Sequence, residues 1–350
     1  MKITAVGEAF PEHYHSQAEI TARLEELWSH DPSVAKRIAS LHENVLVKGR
    51  HLTMPLESYG ELRTFGETND AWIQGAVELG ERAVTQALET AGLAPEDVDA
   101  IFFSTVTGVA SPSIDARLAN RLRFRPDLKR IPMFGLGCVA GAAAVSRAAD
   151  FVRGDPNGVA LVLTIELCSL TLQLGDRSVA NLISTGLFGD GATAAVVVGD
   201  AVAAPAGSPE IVATRSVFYP DTEEVMGWTI SETGFRIVLS PQVPAIAREF
   251  LPGDVDAFLG DHGLTKDDIG TWVCHPGGPK VLEALQDGLG LDRSAVELSW
   301  DALERCGNLS SASVLMILRE TLARRPAEGS HGVMLAMGPG FCSELLLLQW

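Results

Sequence analysis

The chain repeats itself. The segment Gly92–Ser104 (GLAPEDVDAIFFS) resembles Gly263–His275 (GLTKDDIGTWVCH) at an offset of 171 residues. Further on, Gly137-Cys-Val-Ala-Gly-Ala142 lines up with Gly307-Asn-Leu-Ser-Ser-Ala312 at an offset of 170. Gly189–Val198 (GDGATAAVVV) then echoes Gly338–Leu347 (GPGFCSELLL) at an offset of 149. Three matches in one order imply two similar halves in one chain. The first pair reads as helix end, acidic turn and buried strand; the second as the opening of an Ala/Ser-rich helix. The Ala/Gly/Pro stretch at 201–209 is the one plausible boundary, which divides the chain into residues 1–205 and 206–350.

Within each half, short apolar runs alternate with amphipathic stretches, the pattern of an α/β protein. Residues 98–105, 158–165 and 192–198, rich in Val, Ile and Phe, are expected as buried strands. Residues 70–91 are expected as a long helix, stopped by Gly92 with Pro95 beyond it.

Charge and cysteine usage narrow the function. Lys and Arg number 27 against 45 Asp and Glu, a net charge of −18 over 350 residues. A surface this acidic repels phosphate backbones, so nucleic acid is excluded as the expected partner. The 46% hydrophobic content excludes a disordered chain. The five cysteines are odd in number and form no CxxC pair, which argues against a disulfide framework or a cysteine-based zinc site. The N-terminal sequence runs directly into a strand pattern, and no apolar stretch reaches membrane-spanning length. A soluble, cytoplasmic protein is expected.

The repeat also selects chemistry. It places Cys138 and Asn308 at equivalent helix starts, and His275 at the end of the strand equivalent to the one ending at Ser104. In α/β sheets, sites gather beyond the carboxyl ends of strands and at helix N-termini. Cys138, His275 and Asn308 therefore converge if the halves pack about a pseudo-twofold axis. A helix start and a nearby imidazole both lower a thiol pKa, so a thiolate paired with His275 is expected. His275 precedes Pro276-Gly-Gly-Pro279, a rigid loop that can aim its ring into a pocket. The Asn308 amide can donate to a carbonyl oxygen. Plainer readings stand beside these: Cys138 as a small buried hydrophobe, His275 as a satisfied core histidine, and Asn308 as a helix N-cap. The Gly135-x-Gly137-x-x-x-Gly141 run has one residue too many for a dinucleotide loop. His13 and His15 lack a third ligand at metal spacing, so no metal is expected.

Together, Gly137–Ala142, Glu166–Thr171, Leu187–Ala192, His275–Pro279, Gly307–Ala312 and Gly338–Phe341 resemble the thiolase superfamily, and within it the type III polyketide synthases. The wording is most similar to the actinobacterial branch that includes alkylpyrone-forming enzymes. The resemblance implies a thiolase fold, two α/β halves in αβαβα layers, and a homodimer. It implies Cys138 as the nucleophile that accepts an acyl group from an acyl-CoA starter, and His275 as the residue keeping that thiol ionised. His275 and Asn308 would donate to the thioester oxygen of malonyl-CoA as it loses CO₂. No cofactor beyond coenzyme A thioesters is implied. Phe188 and Phe235 are the implied gate, Thr171 and Ser310 the implied cavity lining. Their plainer readings are aromatic core packing and, for Ser310, a first-turn helix residue. For the coenzyme A mouth only Arg37 falls on a basic family position; Gly277 and Lys280 are further candidates, with Lys48 and Arg50 as substitutes.

Val106 stands where naphthol-forming members tend to carry a cysteine, before Thr107-Gly108. The expectation is therefore an acyl-primed maker of an alkyl-pyrone or resorcinol. The alternatives are a 1,3,6,8-tetrahydroxynaphthalene synthase using malonyl-CoA alone, a carrier-protein-dependent ketoacyl synthase, and a non-catalytic acyl-binding or scaffold protein.

Overall fold

The computed structural model describes every residue except Arg63. Among the described residues, nine strands form one continuous sheet. Its order is Lys129–Phe134, Ala100–Thr105, Val159–Leu167, Asp190–Val198, Lys2–Ala9, Glu210–Phe218, Cys342–Gln349, His331–Gly338 and Ile269–Cys274. The repeat is visible in the pairing. Ala100–Thr105 runs parallel to Val159–Leu167, which runs antiparallel to Asp190–Val198. In the second half Ile269–Cys274 runs parallel to His331–Gly338, which runs antiparallel to Cys342–Gln349. The first half has an extra edge strand, Lys129–Phe134. The halves meet where Lys2 pairs with Glu210.

Alternation along the strands sorts side chains into layers. Leu161, Leu163 and Ile165 face an outer core built on the long helix Phe65–Ala91. Ala160 and Val162, from the same strand, face a central core holding the helices Ala140–Gly154 and Ser311–Arg324. Val333, Leu335 and Met337 face a third core, under the helices Val243–Gly260 and Pro279–Leu289. Helices cover both outer faces and fill the middle, which is the αβαβα layering of the thiolase fold. Strands covered on both faces carry unbroken apolar runs, as expected.

The two acidic turns of the repeat close by the same bond. The Asp97 carboxylate accepts from the Ala94 N–H at 2.8 Å, and the Asp268 carboxylate accepts from the Thr265 N–H at 2.8 Å. Each turn follows a glycine at φ +70°, Gly92 or Gly263, a conformation that side chains resist. The long helix begins at Phe65 rather than at residue 70, because Thr64 and Glu67 form a capping box.

The two central helices touch backbone to backbone. A Cβ at Gly141 would lie 2.2 Å from the Ser311 carbonyl oxygen, so only glycine permits this approach. The contact brings the starts of both helices, with Cys138 and Asn308, to one place.

Candidate active site

Cys138 sits in a single 3₁₀ turn, Gly137–Val139, just ahead of its helix. Its Sγ lies 3.8 Å from the Ser310 Oγ. Asn308 is not an N-cap: its helix starts at Ser311, and its Oδ1 accepts from the Ser310 N–H at 2.7 Å. The Asn308 Nδ2 donates to the Gly277 carbonyl at 3.3 Å. Gly277 in turn donates its N–H to the His275 carbonyl at 3.0 Å. One run of contacts thus links thiol, amide and the histidine loop across the two halves.

His275 is 6% exposed, and neither ring nitrogen has a hydrogen-bond partner. Burial holds the ring to about 3, well below its ordinary range. Burial also pushes the Cys138 thiol up to about 11, against hydrogen bonds from Ser310 and Asn308, with the Glu166 charge adding to the rise. Burial alone thus favours the neutral form of each group. The expected thiolate–imidazolium pair would have to offset the cost of burying both charges in this dry, enclosed site.

Glu166 lies beneath this site, fully buried in an apolar strand. The Ser311 hydroxyl donates to its Oε1 at 2.5 Å. The Val106 N–H and the Thr107 hydroxyl donate to its Oε2 at 3.1 and 3.0 Å. Burial still lifts its carboxyl to about 7. A lone carboxylate in the run 158–167 was the sequence signal for it.

Phe188 and Phe235 do not stack on one another. Phe188 lines a small chamber of about 60 Å³ together with Thr171, Cys168, Arg50 and Trp228. Phe235 is buried against Phe65 at 5.4 Å and Trp228 at 5.9 Å. Trp228 packs on Phe235 and lines the same chamber as Phe188. A larger cavity of about 580 Å³ lies on the far side of Tyr59 and Ser169, and neither space is lined by Cys138.

Of the basic candidates, Arg37 is exposed on the helix Pro32–Asn44 and Lys280 is exposed in the first turn of Pro279–Leu289. Gly277 lies beside His275 and accepts from Asn308. Lys48 is paired with Glu304. Arg50 is only 2% exposed and cannot reach coenzyme A. Its guanidinium donates to the Phe188 carbonyl at 2.6 Å and to the Thr185 carbonyl at 2.7 Å. Among the described residues, no group of three metal-binding side chains forms, at His13 and His15 or elsewhere. Among them, too, no helix is long and apolar enough to cross a membrane.

The chain matches the N-terminal domain of chalcone and stilbene synthases over residues 1–201 and their C-terminal domain over residues 210–350. The chain belongs to the chalcone and stilbene synthase family. A relative, the 1,3,6,8-tetrahydroxynaphthalene synthase of Streptomyces peucetius subsp. caesius, is 48% identical, covering 99% of this chain and 93% of that protein. The phloroglucinol synthase of Pseudomonas fluorescens is 31% identical over 97% of each chain. The crystal structure of the 1,3,6,8-tetrahydroxynaphthalene synthase of Streptomyces coelicolor superposes with a TM-score of 0.94 at 32% identity, covering 100% of this chain and 99% of that one. As a type III polyketide synthase, this chalcone and stilbene synthase family member is an acyltransferase with the thiolase fold.

Proposed function

We propose that Cys138 carries the growing polyketide, and that His275 and Asn308 act on both of its partners. The observation that carries this reading is the His275 ring, buried with two unpartnered nitrogens. Buried polar groups without partners are rare and costly, so a substrate group is the natural occupant. When the sulfur attacks a coenzyme A thioester, His275 takes the thiol proton and returns it to the departing coenzyme A thiolate. Malonyl-CoA then loses CO₂, and its thioester oxygen becomes an enolate oxygen. His275 and Asn308 donate to that oxygen; one such donor is worth about 3–4 kcal/mol in a dry site. The enolate carbon attacks the acyl-Cys138 thioester, the C–S bond breaks, and a chain longer by one two-carbon unit results. Decarboxylation supplies the driving force, so the proposal includes no cofactor.

Malonyl-CoA is the proposed starter as well as extender, leading to 1,3,6,8-tetrahydroxynaphthalene. One observation favours it: the relatives that make this compound. The acyl-primed reading keeps one observation of its own, the buried Val106 in place of a thiol. The proposal extends to coenzyme A phosphates at Arg37 and Lys280 beside Gly277, to the division of the chain into residues 1–205 and 206–350, to a cytoplasmic homodimer, and to Thr171 and Ser310 as cavity-lining residues. The exposed Phe134, at the end of the strand leading to Cys138, is an apolar side chain that a dimer would cover.

The test is mass spectrometry of products from purified protein with malonyl-CoA alone and with a ladder of acyl-CoAs, run beside Cys138→Ala. A naphthol from malonyl-CoA alone, absent in the variant, is expected. Products only from acyl primers would move the starter to the second reading. Equal product from the variant would remove Cys138 from its role.

A further inference from the structure

The small chamber beside Phe188 and the large cavity share three wall residues, Tyr59, Ser169 and Leu172. The first two are fastened to each other and to the sheet. The Tyr59 hydroxyl and the Ser169 Oγ are 2.5 Å apart. The Ser169 hydroxyl and its N–H both donate to the Asp190 carboxylate, the latter at 2.8 Å. Asp190 also accepts from the Thr53 N–H at 2.7 Å and the Thr53 hydroxyl at 2.6 Å. A carboxylate accepts only, so Ser169 is committed as donor to Asp190 and Tyr59 donates to Ser169. The Met54 N–H, 3.3 Å from the same phenol oxygen, restrains Tyr59 from the other side. The residue is 6% exposed.

We infer that Tyr59, pinned through Ser169 to Asp190, is a partition that sets how far the polyketide grows, and so a specificity-determining residue. This rests on the reading of Cys138 as the site of iterative extension. The chamber adjoins the reacting centre through Phe188, whose backbone bridges Asn308. Each condensation adds two carbons, and about 60 Å³ accommodates few of them. On this reading a longer chain enters the space of about 580 Å³ behind Tyr59. The partition decides whether it does so or turns back and cyclises. Ser169 and Asp190 act through Tyr59 and are positioning residues.

Three variants separate the parts of this device. Tyr59→Ala opens the wall, Tyr59→Phe keeps the ring and removes its bond, and Ser169→Ala removes the pin. Each is incubated with malonyl-CoA, and the products are sorted by chain length. The ratio of longer to native-length products is expected to rise about tenfold in Tyr59→Ala, the factor imposed by ~1.4 kcal/mol. A smaller rise is expected in the other two. The ratio is independent of total activity, whereas damage to the fold scales all products together. If Tyr59→Ala does not fold, Ser169→Ala, which removes one oxygen, carries the test. An unchanged ratio in a folded, active variant overturns the partition. Absence of product from the native protein would instead overturn the reading on which it rests.

Discussion

Phe188 and Asn308 lie side by side in a one-residue parallel bridge that joins the two halves of the chain. The Asn308 N–H donates to the Leu187 carbonyl at 2.9 Å, and the Gly189 N–H donates to the Asn308 carbonyl at 3.0 Å. The Phe188 carbonyl between them is held by Arg50. The proposed gate and one proposed enolate donor are therefore parts of a single backbone unit.

Arg50 is the clamp on that unit. Burial lowers its guanidinium to about 10, with the Asp190 charge opposing the fall, so it stays protonated at neutral pH. Arg50→Met leaves the Phe188 and Thr185 carbonyls buried and unpaired, at about 1–3 kcal/mol each. We expect a lower urea midpoint and a lower turnover number. Arg50→Lys, which keeps a charge and a donor, should recover part of both. Native turnover in Arg50→Met would show that the bridge holds without the clamp.

A thiol kept neutral by burial would have a signature in alkylation. With the Cys138 thiol pushed up to about 11, its rate with iodoacetamide should climb steadily from pH 6 to 9 without levelling. Cys138→Ser supplies the background from the other four cysteines. A plateau beginning near pH 6 would mean that a thiolate–imidazolium pair forms after all.

Acid should destabilise the fold through buried imidazoles. His42 is held to about 3, first by burial and then by the Arg50 charge, and His275 to about 3 by burial. The unfolded chain protonates both near pH 6.5, whereas the folded chain resists until about pH 3. Their contribution is thus intact above pH 6.5 and is lost as pH falls toward 3, at up to about 1.4 kcal/mol per pH unit per ring. His42→Gln, able to keep bonds to Thr21 and Thr185, should flatten the fall in thermal midpoint between pH 6.5 and 4. A parallel fall in both proteins would assign the acid sensitivity elsewhere.

Gly141→Ala should act at a distance. Its methyl meets the Ser311 carbonyl, so the two central helices must separate at a cost of about 1–3 kcal/mol. The same shift moves Cys138 away from Asn308. Turnover is expected to fall further than the loss of stability explains at 25 °C, where the variant is still folded. Native kinetics in a crystal or solution form with unmoved helices would contradict this.

Much of the architecture was legible because it is written locally and twice. Gly92 and Gly263, with Asp97 and Asp268, mark the same helix stop and the same turn, and the strands after them alternate or run apolar according to which faces are covered. These are effects between neighbours in the chain, which periodicity and turn chemistry report directly. The helix start at Phe65 was missed because a capping box whose N-cap, Thr64, lies six residues before residue 70 extends it.

From the sequence alone came the doubled α/β design, the three residues Cys138, His275 and Asn308, and the inference that the two halves bring them together. Only the tertiary structure decided how deeply they are buried, the burial of Arg50, the carboxyl of Glu166 beneath the thiol, and the contacts that hold Tyr59 to Ser169 and Asp190. The reason is physical. A pKa depends on how much water the whole fold excludes, and a contact between residues far apart in the chain depends on how two helices approach. Both are properties of packing in three dimensions, which no local pattern of residues encodes.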